Sequence, residues 1–311
     1  MFNELSMSTS WCGDKFKSGK EIVSAYKEMG FNKIELNYAI TKEMIEEILP
    51  MVDKGQVEIS SVHHPFPKHS EKLFDTDSQM LGFEDKILRN KAIDMTKQSI
   101  DYAHLLGAKA VVIHPSEVPI DYENHHYDVL LKNLYREGKK NSKDYKNLYK
   151  EMIEHRDHFS PSFVRRTADS LEVLSDYILK KNYDVKIGIE NRAMCHQIPD
   201  FYEAEYILSR LEDAPVRFWY DIGHGVMMEN LGMFNNMDGL QKILSRTIGI
   251  HIHDVIGVND HYAPYEFGDY IDMYLPFIKK IPIKVLEIGA LRSKENVITA
   301  AKRIDTYLKE S

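Results

Sequence analysis

Cysteine is scarce in this sequence, and long apolar runs are missing. The 311 residues include two cysteines, Cys12 and Cys195, too few for a disulfide framework or a Cys-x-x-Cys metal clamp. No stretch approaches the roughly 20 consecutive apolar residues of a membrane-spanning helix. The N-terminus also lacks the basic start and apolar segment of a signal peptide. These absences predict a protein of the reducing cytoplasm that does not enter a membrane.

Basic charge is also in short supply. The chain has 40 Lys and Arg against 48 Asp and Glu, a net charge of −8. This balance argues against a general binder of nucleic acids or anionic membranes. With 43% apolar and 28% charged residues, the composition is typical of a globular protein. The length suits one large domain or two small ones and is ample for a sizeable core, and no domain boundary is apparent.

Short apolar, β-branched runs alternate with longer amphipathic stretches along the chain, a pattern typical of βαβ units with parallel strands. The candidate strands are residues 3–8, 33–36, 57–63, 110–114, 185–190, 216–221, 249–254 and 284–288. The candidate helices are residues 19–29, 42–52, 85–106, 162–180, 201–211, 269–279 and 294–308. Eight such units favour an α/β fold, a (β/α)8 TIM barrel formed by residues 1–311 as a single domain. An open, doubly wound sheet is the alternative.

One segment interrupts this alternation. Residues 119–160 separate the fourth strand from its helix and form a predicted insertion after strand 4. Between Lys132 and Lys150 it carries seven Lys or Arg against two acids, Glu137 and Asp144. One interpretation is a solvated helical excursion over the barrel mouth; another is a lid or basic lip that attracts an anionic substrate. We expect two of its histidines, His125 and His126, to lie away from the chemistry.

Side chains that can bind a metal end six successive predicted strands. In strand order they are His63 and His64; His114; Glu190; Asp221, followed by His224; His251, His253 and Asp254; and Glu287. In a parallel barrel these ends meet at one rim, where sites are built. An isolated carboxylate such as Glu35, after the second strand, is more typical of a loop cap or an ion-pair partner than of a ligand.

The spacing of four of these residues predicts a metal site. Glu190, Asp221, His251 and Glu287 are separated by 31, 30 and 36 residues, about one βα unit each, so they should lie at equivalent heights around the rim. Carboxylates that point into the same barrel opening repel one another unless a cation lies between them. Oxygen-rich ligation with one imidazole suits Mn²⁺, Mg²⁺, Co²⁺ or Zn²⁺.

At these residues the sequence resembles the xylose isomerase-like barrels, the family that includes sugar-phosphate isomerases and epimerases and endonuclease IV. The resemblance extends over nearly the whole chain, through SVHHPF, VVIHPS, IENR, YDIGHG, HIHD and LEIG. It implies that Glu190, Asp221, His251 and Glu287 hold the catalytic metal, and that the protein forms a homodimer. His253 lies on the same strand face as His251, so it is either a substrate contact or the ligand itself.

The nuclease branch of the family binds two more zinc ions through further histidines. The resemblance implies that His63, His114, His224 and His261 are their counterparts and a possible second metal site. The chain departs from the nuclease pattern in one place. It reads Asn259-Asp260-His261 where the nuclease has Asp-x-His, and asparagine is a weaker ligand than aspartate.

Two enzymatic functions follow from the resemblance. The first is metal-dependent isomerisation or epimerisation of a small sugar or sugar phosphate through a metal-stabilised enediolate. One of Glu190 and Glu287 removes the proton and the other can return it, while His224 bonds a substrate oxygen and Arg192 anchors a hydroxyl or phosphate. The alternative is an endonuclease IV-like multi-zinc phosphodiesterase acting on abasic DNA. The acidic charge and the lack of a broad basic stripe disfavour it. A barrel that only binds a ligand is a third interpretation.

Overall fold

A closed barrel of eight strands forms the centre of the protein, in a computed structural model that describes residues 1–13, 15–119 and 126–310. The barrel strands are β1 (Leu5–Ser8), β2 (Lys33–Leu36), β3 (Glu58–His63), β4 (Ala110–Ile113), β5 (Lys186–Glu190), β6 (Val216–Asp221), β7 (Thr247–Ile252) and β8 (Ile283–Leu286). Each strand pairs in parallel with its sequence neighbours, and β8 pairs with β1 to close the barrel. The predicted TIM barrel is confirmed, and the open sheet is excluded.

Helices connect successive strands. They are α1 (Gly19–Glu28), α2 (Lys42–Asp53), α3 (Lys86–Leu105), α4 (Tyr127–Arg136), α5 (Lys143–Lys181), α6 (Phe201–Arg210), α7 (Ile222–Leu231), α8 (Asn236–Ile243), α9 (Leu275–Lys280) and α10 (Lys294–Glu310). Short 3₁₀ helices cover Thr9–Trp11, Lys72–Phe74, Met80–Gly82, Leu244–Arg246 and Tyr270–Tyr274. Within the described residues, no helix is both long and apolar enough to cross a bilayer.

A tryptophan fills the barrel interior below the rim. Trp219 of β6 is fully buried and packs with Ala110, Val112 and Val285 in a small cluster. The neighbouring strand β7 makes room for it with a glycine, since a Cβ built on Gly249 would lie 2.1 Å from the indole ring. Trp219 therefore belongs to the core and forms the floor beneath the rim.

The predicted strands agree with the observed ones to within two residues at either end. Three observed strands end earlier than predicted, so His114, His253 and Glu287 directly follow their strands instead of lying within them. Helices α7 and α8 were not predicted. Helix α7 is buried on nearly all faces, so it has no apolar stripe of the kind that marks a surface helix.

The segment predicted as an insertion forms α4 and the first half of α5, apart from residues 120–125, which with His125 lie outside the described residues. Helix α5 runs without interruption through Pro161, although the sequence predicted a helix that begins after this proline. Lys132 of α4 donates to Ala193 O at 2.9 Å, and Arg156 of α5 donates to Cys195 O at 2.9 Å. The two helices therefore hold the loop of residues 191–197, which follows β5.

Candidate metal centre

Four side chains at the C-terminal rim lie close together, and we call them the central group: Glu190, Asp221, His251 and Glu287. Glu190 and Asp221 end β5 and β6, His251 lies in β7, and Glu287 directly follows β8. One potential ligand atom of each lies within 4.8 Å of those of the other three, and all four residues are buried. The structure thus brings together the four residues that the sequence predicts as ligands.

The imidazole of His251 is oriented by contacts on both sides of the ring. Its Nδ1 faces the central group, 3.2 Å from Glu190 Oε1, 3.1 Å from Glu287 Oε2 and 3.6 Å from Asp221 Oδ2. Its Nε2 lies 3.1 Å from Glu35 Oε1. The Ser61 hydroxyl donates to the other oxygen of Glu35 at 2.8 Å. An Nε2–H donated to Glu35 leaves Nδ1 as the nitrogen for a metal, the usual arrangement of a metal-binding histidine.

Sequence reasoning missed Glu35 as part of the site and assigned it a cap or ion-pair role. It is indeed paired, but its partner is a candidate ligand of the metal. The sequence offers one weak signal, a lone charged residue within the apolar end of β2, and the structure shows that Glu35 is fully buried there. Charged residues are almost never fully buried without a partner.

Two carboxylates of the central group, Glu190 and Asp221, are held in their ionised form. Burial raises the pKa of Glu190, but the His251 and His114 imidazoles outweigh it and hold this pKa well below its usual value. Burial also raises the pKa of Asp221, and His224 and His253 likewise bring it far down. Buried, ionised carboxylates beside one inward-facing imidazole form a donor set that fits a divalent cation.

A second set, the first histidine group, lies on one side of Glu190 and consists of His63, His114 and Glu190. His63 Nε2 and His114 Nε2 lie 3.4 and 3.0 Å from Glu190 Oε2. His63 Nδ1 lies 2.9 Å from the carbonyl oxygen of His64. Both histidines therefore turn Nε2 toward Glu190, which is shared with the central group through its other oxygen.

A third set, the second histidine group, consists of His224, His253 and His261. Asp260 Oδ2 lies 3.9 Å from both His224 Nε2 and His261 Nε2. Asn259 lies apart from the group and accepts a hydrogen bond from Arg136 of α4 at 3.0 Å. Asp260, rather than residue 259, is therefore the residue of the Asn259-Asp260-His261 sequence whose side chain lies beside these histidines.

The four histidines predicted as one possible second site are therefore divided between two groups. His63 and His114 lie beside Glu190 Oε2, whereas His224 and His261 lie beside Asp260. His253 belongs to the same group as His224 and His261, and its Nε2 lies 3.0 Å from Asp221 Oδ1. Its Nδ1 accepts a hydrogen bond from His261 N at 3.0 Å. Of the two histidines in HIHD, His251 lies near three carboxylates of the central group, whereas the contact of His253 with that group is to Asp221.

His64, the neighbour of His63, faces away from the rim. Its Nδ1 lies 2.8 Å from Ser99 Oγ of α3. Burial, together with the nearby His63 imidazole, lowers the pKa of His64 to about 3. A neutral histidine packed against a helix is structural, so only one residue of the His63–His64 pair belongs to the site.

Replacing Glu35 by Gln is expected to weaken metal binding by about 10- to 100-fold, the typical effect of losing the outer partner of a ligating histidine. The amide keeps the shape of the side chain but weakens the acceptor that fixes the His251 ring. The measurement is a competition titration of Mn²⁺ or Zn²⁺ against a chromophoric chelator. Glu205→Gln, an exposed residue of α6, serves as the control. Unchanged affinity in Glu35→Gln would contradict this role.

The chain resembles known proteins in fold along nearly its whole length. A family model described as a xylose isomerase-like TIM barrel matches residues 23–282. The solved structure of 3-keto-D-glucoside 4-epimerase YcjR from E. coli has 13% sequence identity and a TM-score of 0.65, covering 97% of this chain and 99% of that one. The IolI protein, solved with a zinc atom, has 15% identity and a TM-score of 0.65, covering 98% and 97%.

Endonuclease IV from Thermus thermophilus is also similar, with 17% identity and a TM-score of 0.59, covering 99% of this chain and 100% of that one. At these identities the likeness concerns the fold. The sequence has no significant match among curated proteins. The similar structures include sugar epimerases and an endonuclease, so function has to be argued from the side chains at the rim.

Proposed function

The chain belongs to the xylose isomerase-like TIM-barrel family, and we propose that it is a divalent-metal-dependent isomerase or epimerase of a sugar or sugar phosphate. The observation that carries this proposal is the central group, with carboxylates and one inward-facing imidazole nitrogen at a barrel rim. Sugar epimerases among the similar structures support it. Mn²⁺, Mg²⁺, Co²⁺ or Zn²⁺ suits these ligands. Held by these four residues, such an ion would supply positive charge that polarises a substrate carbonyl.

Glu287 is the better placed of the two carboxylates for moving a proton. Its Oε2 lies near His251, while no hydrogen bond or ion pair among the described residues engages its Oε1. Glu190 instead has both oxygens occupied, Oε1 by His251 and Oε2 by His114. In the proposed mechanism Glu287 removes the proton from the carbon beside the carbonyl, and Glu190 remains a ligand. The sequence alone leaves both carboxylates open for this work.

Within the described part of the chain, Glu287 is the one carboxylate of the Glu190–Glu287 pair with an unengaged oxygen, and this favours isomerisation over epimerisation. In aldose–ketose interconversion one base carries the proton between two adjacent carbons on one face of the substrate. Epimerisation with a base on each face needs a second free group. His224 turns Nδ1 to Asn191 O at 2.9 Å, which leaves Nε2 for a substrate oxygen. Isomerisation by Glu287 is therefore the form of the activity that these contacts support best.

Deuterium exchange tests this function even though the substrate is unidentified. Purified protein loaded with Mn²⁺ or Co²⁺ is incubated in D₂O with a panel of aldoses, ketoses and their phosphates. We expect deuterium at a carbon next to the carbonyl of at least one sugar, loss of exchange with a chelator, and recovery when the metal is restored. Metal-bound protein that exchanges no member of the panel would contradict the proposal.

A second candidate function is favoured by the two histidine groups. They place histidines beside Glu190 and beside Asp260, and centres with several metal ions cleave phosphodiesters. The formal charge of −8 disfavours a DNA substrate. Metal content per chain separates the candidates. About one ion supports the isomerase, whereas two or three zinc ions, together with chelator-sensitive cleavage of a duplex with an abasic site, would support the phosphodiesterase.

We also propose that the protein acts in the cytoplasm. Cys12 and Cys195 are both buried and unpaired, and disulfides are rare in a reducing compartment. The homodimer implied by the family resemblance remains a prediction. Its test is the mass measured by light scattering on the purified protein.

A further inference from the structure

Three side chains at the rim converge on one carboxylate oxygen that comes from a loop. Arg192 Nη2 donates to Asp77 Oδ1 at 2.6 Å, and Gln197 Nε2 donates to the same oxygen at 2.9 Å. His114 Nδ1 lies 3.0 Å from it. We call Arg192, Gln197 and His114 the anion cradle. Donors from two places in the chain, the loop of residues 191–197 and the end of β4, meet at one point and form a binding site for a negatively charged oxygen group.

Asp77 accepts hydrogen bonds from only some of the donors of this cradle. Arg192 is 5% exposed, and its Nε and Nη1 have no hydrogen-bond partner. Nη1 lies 3.8 Å from Glu190 Oε2, beyond hydrogen-bond distance but at the edge of the central group. Leaving buried donors unsatisfied is costly. A group with more acceptor oxygens than the single one that Asp77 offers would remove this cost.

The cradle is held in place by packed helices, whereas Asp77 reaches it from a partly exposed segment. Arg156 donates to Gln197 O at 3.2 Å, and α4 and α5 hold the rest of the loop that carries Arg192. Asp77 lies in irregular chain between two 3₁₀ helices, and its side chain is 41% exposed. Thr76 Oγ1 lies 3.1 Å from the same nitrogen of His114. His114 would therefore keep this partner if the side chain of Asp77 rotated away while the backbone stayed in place.

We propose that Asp77 occupies the place of an anionic group of the substrate, a phosphate ester or a carboxylate, which displaces it and binds Arg192, Gln197 and His114. The inference rests on the proposed function, because it names the substrate class of that same site. Arg192 lies next to Glu190, so an anion in the cradle would hold the neutral part of a small sugar over the central group. The preferred substrates are then sugar phosphates or sugar acids rather than neutral sugars.

Equilibrium binding tests this inference independently of turnover. The dissociation constants of two matched pairs of probes are measured by calorimetry on protein loaded with Mn²⁺: D-fructose 6-phosphate with D-fructose, and D-glucuronate with D-glucose. The same metal content is verified for wild type, Arg192→Gln, Arg192→Lys and Asp77→Asn. Arg210→Gln removes the same charge from α6, where Arg210 pairs with Asp169 and Glu172, and serves as the control.

We expect wild type to bind the anionic member of at least one pair about 10-fold or more tightly than the neutral member, the scale of hydrogen bonds to charged groups. Arg192→Gln should weaken binding of the anionic probe by a larger factor than binding of the neutral probe and so abolish this preference, Arg192→Lys should restore part of it, and Arg210→Gln should keep all of it. The pair of probes that shows the preference identifies whether the cradle binds a phosphate ester or a carboxylate.

Asp77→Asn distinguishes displacement from a purely structural contact. If Asp77 competes with the substrate, its neutral variant binds the anionic probe several-fold more tightly than wild type does; if Asp77 only positions Arg192 and His114, binding becomes weaker. Weaker or unchanged binding overturns the proposal, as does a wild type with no anionic preference in either pair, including no binding at all. Anion binding without proton exchange in any sugar would instead overturn the isomerase and leave the cradle intact.

Discussion

Glu287→Gln is expected to lower kcat of the metal-loaded protein by a factor of about 10² to 10⁴, the usual contribution of general acid–base catalysis. The amide has nearly the shape of the carboxylate, and its oxygen can still face the central group, but it cannot accept a proton from carbon. Substrate binding should change much less than turnover. The measurement is kcat and KM for the sugar that the exchange panel identifies.

The control for this variant is Glu205→Gln, which changes an exposed carboxylate on α6 and should retain full activity. Metal content is measured on both variants, because loss of the ion would imitate loss of the base. A Glu287→Gln protein that keeps its metal and more than about a tenth of the wild-type kcat would refute the assignment of Glu287 as the proton carrier, since even the smallest expected contribution is larger than that.

Glu190→Gln is expected to reduce metal affinity by about 10²-fold or more, because loss of an outer partner alone typically costs 10- to 100-fold. Glu190 faces the central group through Oε1 and the first histidine group through Oε2. The amide removes the negative charge from both groups at once. Metal per chain, measured by mass spectrometry after dialysis, should fall to near zero at metal concentrations that saturate wild type.

Two comparisons make this second result specific. His63→Gln alters the first histidine group alone and should leave the ion of the central group in place. Glu35→Gln should lower the affinity for that ion by a smaller factor than Glu190→Gln does. If Glu190→Gln retains the wild-type metal content, the carboxylate shared by the two groups is not a ligand, and the metal lies elsewhere in the protein.

The central group could be predicted from sequence because of a rule of parallel barrels. Strand ends converge on one rim, so residues one βα unit apart, such as Glu190 and Asp221, meet whatever the intervening helix contains. Glu35 obeys the same rule, but it stands alone in its motif, and a single carboxylate carries little information. Its role became visible only through its contact with His251, 216 residues away.

The anion cradle could not be predicted in the same way. Asp77 meets Arg192 across 115 residues from a loop without regular structure, and no spacing rule connects a loop to a rim. Helix α7 was missed for another reason. Its residues are buried on nearly every side because it packs under other elements, and the absence of a polar face removes the periodicity that identifies a helix.

Trp219 gives the rim an optical reporter of its own. The indole is completely buried, and its ring centre lies 5.1 Å from that of His251 in an edge-on arrangement. Its fluorescence should therefore respond to changes in charge at the neighbouring imidazole and be quenched by a paramagnetic ion such as Mn²⁺ or Co²⁺ bound there. The chain has two tryptophans, and a Trp11→Phe variant would isolate the signal of Trp219. Metal uptake by this barrel can then be followed in real time without a label or an identified substrate.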